Sequence, residues 1–421
     1  MLPRAIYSFF FYLLIPAVLL RLFWRSIREP LYRQNLLQRF GFVEFNLQDK
    51  RPLIWVHAVS AGETIAAVPL VRKLLAHDFG VLVTTMTPTG HERVQTLLGK
   101  SVLHCYAPYD LPGSVARFLR RTRPKCLVII DTELWPNIIH QCSTHQVKTI
   151  LVNGRLSARS AKGYKKIPWL TESMLGELDD VAVQTASHGR RFIDLGLSSE
   201  KLLVAGSIKF DIRLPVDFEE KVERLKVKIG KRLVIIGAST HPGEEEMILR
   251  VCKTLRESYG ELLLVLAPRH PHRSDEVAVL AEKNGDQLVR HSDQQACEQS
   301  TTVLLVDTMG ELTYFYGISD VAIVGGSLVP VGGHNLMEAV VAGVPVIMGG
   351  HLHNIDDIAS MFEAEGGMCI VHDEKQLLQE LDFLMSSPAH RRQLSANANK
   401  VLENNRGALD KVEALIVKAA S

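Results

Sequence analysis

Short runs of Val, Ile and Leu alternate with helix-forming stretches after Arg51, and this alternation limits the folds open to the chain. Continuous apolar runs are typical of parallel strands buried on both faces, and helices between them indicate βαβ units. A first series of predicted strands comprises Leu53–Val59, Val81–Met86, Cys126–Ile130, Thr149–Val152, Val181–Gln184 and Leu202–Ala205. A second series comprises Leu233–Ile236, Leu262–Leu266, Val303–Val306, Val321–Val324 and Val344–Met348. The pattern predicts an α/β protein with two doubly wound, Rossmann-like domains.

The length of 421 residues also favours two domains, because a single hydrophobic core rarely grows to this size. A charged helix, predicted over Phe218 to Lys228, follows the first series, which places the join near residues 207–216. We therefore expect an N-terminal domain over residues 29–210 and a C-terminal domain over 211–421. The last helix could cross back to the first domain.

Residues 1–28 are predicted to be a membrane anchor. Ala5 to Leu20 carry no charge, and a bilayer core needs about 20 apolar residues of helix. A cleaved signal peptide is disfavoured because no small-residue cleavage site follows, whereas a helix lying in the membrane interface is a real alternative. Six arginines stand in the first 40 residues against one acid, Glu29. Basic residues after an anchor predict that the remainder stays on the cytoplasmic face of the inner membrane.

The overall composition narrows the classes of partner. The net charge is only +2, so nucleic acid is not an expected partner. The basic run from Arg117 to Lys125 suits an anionic membrane surface, but a solvated helix face explains it equally well. The six cysteines are scattered without metal-ligand spacing, and no phosphate-binding or dinucleotide-binding glycine motif is present. We expect no metal and no cofactor.

Ligands of parallel sheets bind beyond the carboxyl ends of the strands, so the segments after each run are the candidate sites. After the first strand, Ser60 and Glu63 have capping-box spacing, while Gly62 would allow another molecule to approach. Glu63 fits either a helix cap or a base that takes a proton from a hydroxyl. Glu133 follows the third predicted strand. The Asn153–Ser160 segment offers Arg155 and Arg159 as donors for an acidic or sugar ligand.

The second half repeats this arrangement. Pro268 and Arg269 follow one strand, Met309, Gly310 and Glu311 another, and the glycine-rich segment from Gly332 to Glu338 a third. Glycines before a helix suggest exposed backbone N–H groups that favour an anion. Glu338 could either cap that helix or accept hydrogen bonds from ribose hydroxyls.

Seven segments in register along nearly the whole chain resemble one family. These are WVHAVSAGE, TELWPN, NGRLSARS, GSIKFD, APRH, MGEL and GGHNLMEA. They are similar to the 3-deoxy-D-manno-octulosonic acid (Kdo) transferases, glycosyltransferases of the GT-B fold. That resemblance implies two Rossmann-like domains facing a cleft, an N-terminal acceptor-binding domain and a C-terminal domain for the CMP-sugar.

The resemblance also implies roles for individual residues. Glu63 matches the general base, and Glu133 and Lys209 match residues associated with transition-state stabilisation. The residues matching the CMP-Kdo site are Pro268, Arg269, Met309, Gly310, Glu311, Gly333, His334, Asn335, Leu336, Met337 and Glu338. Ser60, Gly62, Arg155 and Arg159 are candidates for the acceptor side. The implied reaction transfers Kdo from CMP-Kdo to a tetraacyl lipid A precursor with inversion and without a metal.

Two other functions fit the same residues. One is a GT-B transferase that uses a UDP-sugar donor for a membrane lipid acceptor. The other is a catalytically inactive protein that binds the membrane surface. The released nucleotide and a single-turnover assay distinguish these possibilities.

Overall fold

A computed structural model describes residues 2–28, 30–45 and 50–420. The chain divides into two compact units, one of residues 1–211 with 406–421 and one of residues 212–405. Each unit is built on a seven-stranded sheet whose strands are all parallel. The predicted α/β class with two parallel sheets is therefore confirmed.

The first unit has the strand order β3-β2-β1-β4-β5-β6-β7. Its strands are β1 (Leu53–His57), β2 (Gly80–Thr85), β3 (Leu103–Tyr106), β4 (Cys126–Ile130), β5 (Lys148–Gly154), β6 (Asp180–Val183) and β7 (Leu202–Val204). Its helices are α1 (Leu2–Arg28), α2 (Ala61–Ala76), α3 (Pro88–Leu97), α4 (Pro112–Thr122), α5 (Pro136–Thr144), α6 (Ala158–Tyr164), α7 (Pro168–Gly176), α8 (Ala186–Ile193) and the C-terminal α17 (Ala408–Ala420).

Helix α17 belongs to the first unit because its apolar face completes one of the two cores of that sheet. Leu409, Val412 and Ile416 are buried in the cluster that covers β1, β4 and β5. The Asp211 carboxylate accepts hydrogen bonds of 2.7 Å from the backbone N–H groups of Gly407 and Leu409. This contact fixes the start of α17 next to the residue at which the chain leaves the first unit.

The second unit has the strand order β10-β11-β9-β8-β12-β13-β14. Its strands are β8 (Val234–Thr240), β9 (Leu263–Pro268), β10 (Leu288–Arg290), β11 (Val303–Leu305), β12 (Val321–Val324), β13 (Val346–Gly349) and β14 (Cys369–Val371). Its helices are α9 (Phe218–Ile229), α10 (Glu244–Tyr259), α11 (Ser274–Asn284), α12 (Leu312–Tyr316), α13 (Met337–Val341), α14 (Asp356–Ala364), α15 (Glu374–Ser386) and α16 (Pro388–Asn405).

The predicted strands and the charged helix are confirmed within a few residues at each end. Helix α9 buries Phe218, Val222, Leu225 and Ile229, a spacing that places them on one face. It ends at Ile229 and is followed by Gly230, whose φ is 74°. Three strands were missed: β3, β10 and β14. Each has three or four residues and includes half-exposed side chains, so no continuous apolar run marked it.

Helix α1 is long and apolar enough to cross a membrane, judged by length and composition. It begins at Leu2, ends at Arg28 and contains Pro16. Most of its large apolar side chains, including Phe9, Leu13 and Leu20, are exposed. The predicted apolar N-terminal helix is therefore present as a candidate anchor.

Candidate functional site

Glu63 lies in the first turn of α2, at the carboxyl edge of the first sheet. Its carboxylate folds back over the start of the helix and accepts hydrogen bonds from the Val59 backbone N–H at 2.7 Å and the Ser60 hydroxyl at 2.8 Å. The Ser60 oxygen in turn accepts a bond from the Glu63 backbone N–H at 3.3 Å. Ser60 is therefore the helix cap, and the capping contacts hold the Glu63 carboxylate in one orientation.

The surroundings of Glu63 tune it toward proton transfer. Burial raises its pKa to about 7, although the hydrogen bonds from Ser60 and Val59 act in the opposite direction. The carboxylates of Glu133 and Asp131 raise that pKa further by charge repulsion. A carboxylate whose pKa lies near neutrality can act as a general base under physiological conditions.

Glu133 follows β4 and lies close enough to Glu63 for their charges to interact. Its carboxylate accepts a hydrogen bond of 3.1 Å from the Trp135 indole N–H. Burial raises the pKa of Glu133, and Asp131 adds to the increase. The structure thus gathers three carboxylates at this edge of the first sheet.

Asp131 and Asn153 lie in the candidate segments after β4 and β5, although the sequence assigned neither of them a role. Both are non-glycine residues in the left-handed region, with φ of 57° and 61°, at the ends of the adjacent strands β4 and β5. The Asn153 amide donates to the Asp131 carboxylate, and its oxygen accepts from the Ile208 backbone N–H at 3.3 Å. Asn153 therefore ties the carboxylate group to the segment that carries Lys209. Strained backbone of this kind is typical of functional sites.

The remaining residues predicted for the first unit lie on neighbouring segments. Lys209 is half-buried, in a short 3-10 helix over Ile208–Asp211. The Arg155 backbone N–H donates to the Thr132 hydroxyl at 3.0 Å, which places this exposed arginine beside the loop that carries Glu133. Arg159 is exposed in the first turn of α6.

The residues of the second unit that were predicted to bind the nucleotide sugar come together at the carboxyl edge of its sheet. Pro268 ends β9, and the charge of the following Arg269 lowers the pKa values of both Glu338 and His334. Burial nevertheless leaves the pKa of Glu338 raised. The Glu338 carboxylate accepts a hydrogen bond of 3.0 Å from Thr313, on the helix directly after Met309–Glu311. The segment after β9, helix α12 and helix α13 therefore meet around the Glu338 carboxylate.

Glycine-rich residues before α13 do not present their N–H groups as the sequence suggested. The Gly332 and Gly333 N–H groups donate to the Gly326 carbonyl at 2.9 and 2.6 Å, and His334 donates to Gly325 at 3.2 Å. Helix α13 has only five residues, so its dipole is small. The expectation that these glycine N–H groups are exposed is thus wrong, whereas the charge of Arg269 does act on His334 and Glu338 in this region.

The other residues of this segment have distinct environments. The Asn335 side chain accepts a hydrogen bond of 3.2 Å from the Met337 N–H, while Leu336 and Met337 are fully buried. The Met309 side chain is half exposed, and Gly310 has a φ of 84°. Glu311 accepts a bond of 2.6 Å from the Thr308 hydroxyl.

Glu244, to which the sequence assigned no role, organises the loop between β12 and α13. This loop, residues 325–336, is called the glycine-rich loop below. It is fully buried at the start of α10. One carboxylate oxygen accepts hydrogen bonds from the N–H groups of Ser327 at 3.1 Å and Leu328 at 2.9 Å. The other accepts from Gly326 at 2.8 Å and His241 at 2.9 Å. The Glu244 carboxylate therefore connects the loop after β8 to the loop after β12 by hydrogen bonds.

Two histidines face each other beside Arg269. The Nε2 atoms of His241 and His334 are 2.7 Å apart, a distance at which they share one proton. Burial, reinforced by Arg269, lowers the pKa of His334 to about 4. This ring is therefore neutral at pH 7, and it serves as a hydrogen-bonding group rather than a fixed charge.

Comparison with known proteins decides the family. Residues 34–212 match the family model described as 3-deoxy-D-manno-octulosonic-acid transferase (kdotransferase), and residues 219–401 match glycosyl transferases group 1. The chain is 41% identical to the 3-deoxy-D-manno-octulosonic acid transferase of Haemophilus influenzae, over 92% of each chain. This chain belongs to the Kdo transferase family.

Two further comparisons concern the family and the fold, respectively. The transferase of the same name from Bordetella pertussis is 35% identical and covers 91% of this chain and 92% of its own length. The crystal structure of a glycosyltransferase from Rickettsia africae has a TM-score of 0.56 at 13% identity, covering 88% of this chain and 99% of that one. The chain is a glycosyltransferase, and the predicted GT-B class is confirmed.

Proposed function

We propose that this Kdo transferase family member moves Kdo from CMP-Kdo to a hydroxyl of a tetraacyl lipid A disaccharide precursor, in lipopolysaccharide core biosynthesis. The observation that carries the catalytic part is Glu63, a half-buried carboxylate with a pKa of about 7 at the carboxyl edge of its sheet. The first unit is assigned to acceptor activation and the second to donor binding.

The proposed reaction is a single displacement. The acceptor hydroxyl gives its proton to Glu63 while its oxygen forms a bond to the anomeric carbon of Kdo. The bond between that carbon and the phosphate oxygen breaks, and its electron pair leaves with CMP. One displacement from the opposite face inverts the anomeric configuration. The contacts from Val59 and Ser60 hold the base in place, and Glu133 and Asp131 keep its proton affinity high.

Positively charged side chains are proposed to stabilise the negative charge that develops on the departing phosphate. Lys209 and Arg269 are the candidates, because preorganised cations stabilise such charge without reorganisation. Residues Met309–Glu311 and Gly333–Glu338 would hold the CMP group, with Glu338 as an acceptor for hydroxyl groups. Because these cations supply the stabilisation, the reaction needs no divalent ion and no cofactor.

A cationic pocket supports an anionic membrane surface as partner. It has a volume of about 720 Å³ at the amino ends of β1, β2 and β3. Its basic residues are Lys50, Arg51, Lys100, Arg120, Arg121, Arg123 and Lys125, and no acidic residue of the described ranges lines it. Basic clusters bind anionic leaflets with about 1 kcal/mol per residue. We place the protein on the cytoplasmic face of the bacterial inner membrane.

The nucleotide released during turnover tests the donor. The full chain is incubated with acceptor lipid and either CMP-Kdo or a UDP-sugar, and nucleotide release is followed by chromatography. We expect acceptor-dependent CMP release that continues in EDTA. UDP release with CMP-Kdo inert would identify the rival donor class, and absence of any release in a single turnover would indicate a binding protein. Loss of CMP release in EDTA, restored by Mg²⁺, would refute the metal-free assignment.

Substitution of Gly62 by alanine tests whether the acceptor approaches the start of α2. A methyl group at this exposed position would meet only the Ser60 hydroxyl, at 3.9 Å, so the fold itself tolerates it. We expect Gly62→Ala to leave the melting temperature nearly unchanged and to raise the KM for the acceptor about tenfold, while the KM for the donor stays constant. Gly163→Ala on α6, where nothing lies within 4 Å of the added methyl, is the matched control. Unchanged acceptor kinetics would place the acceptor elsewhere.

A further inference from the structure

Helix α1 has one face that is less exposed than the rest of its surface. Its less exposed positions are 4, 7, 8, 11, 15, 18, 22 and 26, whereas the described positions between them are exposed. Intervals of three and four residues place these positions on one stripe of a helix. The stripe is therefore the face that the protein covers.

Specific polar contacts hold the N-terminal half of the helix on the first unit. The Arg4 guanidinium lies 3.7 Å from the Glu177 carboxylate, and the Ser8 hydroxyl donates to the Asn137 side chain at 3.1 Å. Asn137 in turn donates to the Asp110 backbone carbonyl at 2.7 Å. These partners belong to the body of the α/β unit, on α5, after α7 and before α4.

The C-terminal end of the helix leads back to the same body. The segment after it forms a 3-10 helix over Leu36–Phe40, and the Arg39 carbonyl accepts a bond of 2.7 Å from the Tyr109 N–H. Gln38 accepts a bond of 3.0 Å from the Tyr106 N–H. The N-terminal half of α1 and the segment that follows α1 therefore contact the same unit, and that unit has a charged surface that cannot enter hydrocarbon.

The opposite face of the helix is apolar and open. Phe9, Phe10, Leu13, Leu20 and Trp24 are each between 59% and 70% exposed. Arg21 and Arg25 lie together beside this face, at the edge where phosphate headgroups would meet it. A continuous apolar face of aromatic and aliphatic side chains with a basic edge matches an anionic bilayer surface in shape and charge.

We infer that α1 does not cross the membrane but lies in its cytoplasmic interface, with the striped face on the protein and the apolar face in the lipid. A helix spanning from Arg4 to Ile27 would be about 36 Å long and would carry Arg4 to the far side of a hydrocarbon core of about 30 Å. That position is incompatible with the Glu177 and Asn137 contacts. The N-terminus thus stays on the same side of the membrane as both sheets, whichever sugar is transferred.

Two protease-cleavable tags on the full-length chain test this topology. One precedes Met1, and the other follows Ser421, next to α17 of the first unit. Protease is added to intact spheroplasts and to inverted inner-membrane vesicles. We expect both tags to be cut in the inverted vesicles and protected in spheroplasts. Cleavage of the N-terminal tag in spheroplasts, with the C-terminal tag protected, would overturn the inference in favour of a spanning helix.

A crosslink measured in the same membranes tests the docked face directly. Ser8→Cys with Asn137→Cys, with Cys297 and Cys369 replaced by serine, is treated with a short thiol crosslinker and analysed by mass spectrometry. We expect the 8–137 linkage in most of the membrane-bound protein. Phe9→Cys with Asn137→Cys is the matched control, because Phe9 is 61% exposed, and should link at least tenfold less. Equal yields from the two pairs would contradict docking by the stripe.

Discussion

Replacing Glu63 with glutamine is expected to lower kcat by about 10²–10⁴, the usual contribution of a general base. The amide keeps the size of the side chain and can still accept one bond, from Val59 or Ser60, but it cannot take a proton from the acceptor. The segments proposed to hold CMP-Kdo lie in the second unit, and this substitution leaves Lys209 and Arg269 in place, so the Kd for CMP-Kdo should remain within about twofold. Steady-state kinetics and calorimetric titration measure the two quantities.

The pH profile separates loss of the base from a folding defect. Because the pKa of Glu63 is raised to about 7, the wild-type kcat/KM should rise about tenfold per pH unit below 7 and level off above it. The folded state also holds this proton more tightly than the unfolded chain. The ionisation of Glu63 therefore lowers the free energy of unfolding as the pH rises from the ordinary pKa of a glutamate toward 7. Glu63→Gln should remove that part of the pH dependence of stability.

Asp179→Ala is the matched control for Glu63→Gln. The Asp179 carboxylate accepts a bond of 2.8 Å from the Thr149 backbone N–H at the amino edge of the same sheet. Its loss should reduce stability and leave kcat unchanged. Turnover by Glu63→Gln within tenfold of the wild type, with no change in the pH profile, would remove Glu63 as the base.

The second large effect is expected from Glu244→Gln. Glutamine has one acceptor oxygen and a donor NH₂ group where four backbone N–H groups now point at a carboxylate. Unmet buried donors cost about 1–3 kcal/mol each, so we expect a loss of about 3 kcal/mol and a fall in melting temperature of about 6–12 °C. The KM for CMP-Kdo should rise by at least about tenfold, because the glycine-rich loop loses its anchor.

The neighbouring Glu245 provides a control with the same burial. Its carboxylate lies 2.8 Å from Arg273 and does not contact the glycine-rich loop. Glu245→Gln should also lower the melting temperature, while the KM for the donor stays within about twofold. If both variants weaken donor binding equally, Glu244 would have no special role in positioning the loop.

The sheets and the candidate segments could be predicted because they depend on local patterns. A buried parallel strand needs a continuous apolar run, and its carboxyl end must face the ligand side of the sheet. By that rule the sequence alone places Glu63, Glu133 and Arg269 after the ends of strands, where the structure has them. The edge strand Leu288–Arg290 was not predicted, because a half-exposed strand of three residues does not need a continuous apolar run.

Contacts between distant segments could not be read from the sequence. Glu244 bonds to residues 82 to 84 positions away, and no local pattern in the sequence indicates these partners. The sequence predicted exposed glycine N–H groups before α13, but in the folded chain these groups donate hydrogen bonds to the carbonyls of residues 325 and 326. The left-handed conformations of Asp131 and Asn153 could likewise not be predicted, because Asp and Asn tolerate this region of backbone conformation without requiring it.

Mass spectrometry of the lipid after incubation of the full chain with CMP-Kdo and a tetraacyl lipid A precursor shows directly whether Kdo is transferred to this acceptor. We expect acceptor lipid carrying one or more Kdo residues with the wild type, but not with Glu63→Gln at matched times. Recovery of unmodified acceptor with CMP-Kdo, together with sugar addition from a UDP donor, would contradict this expectation.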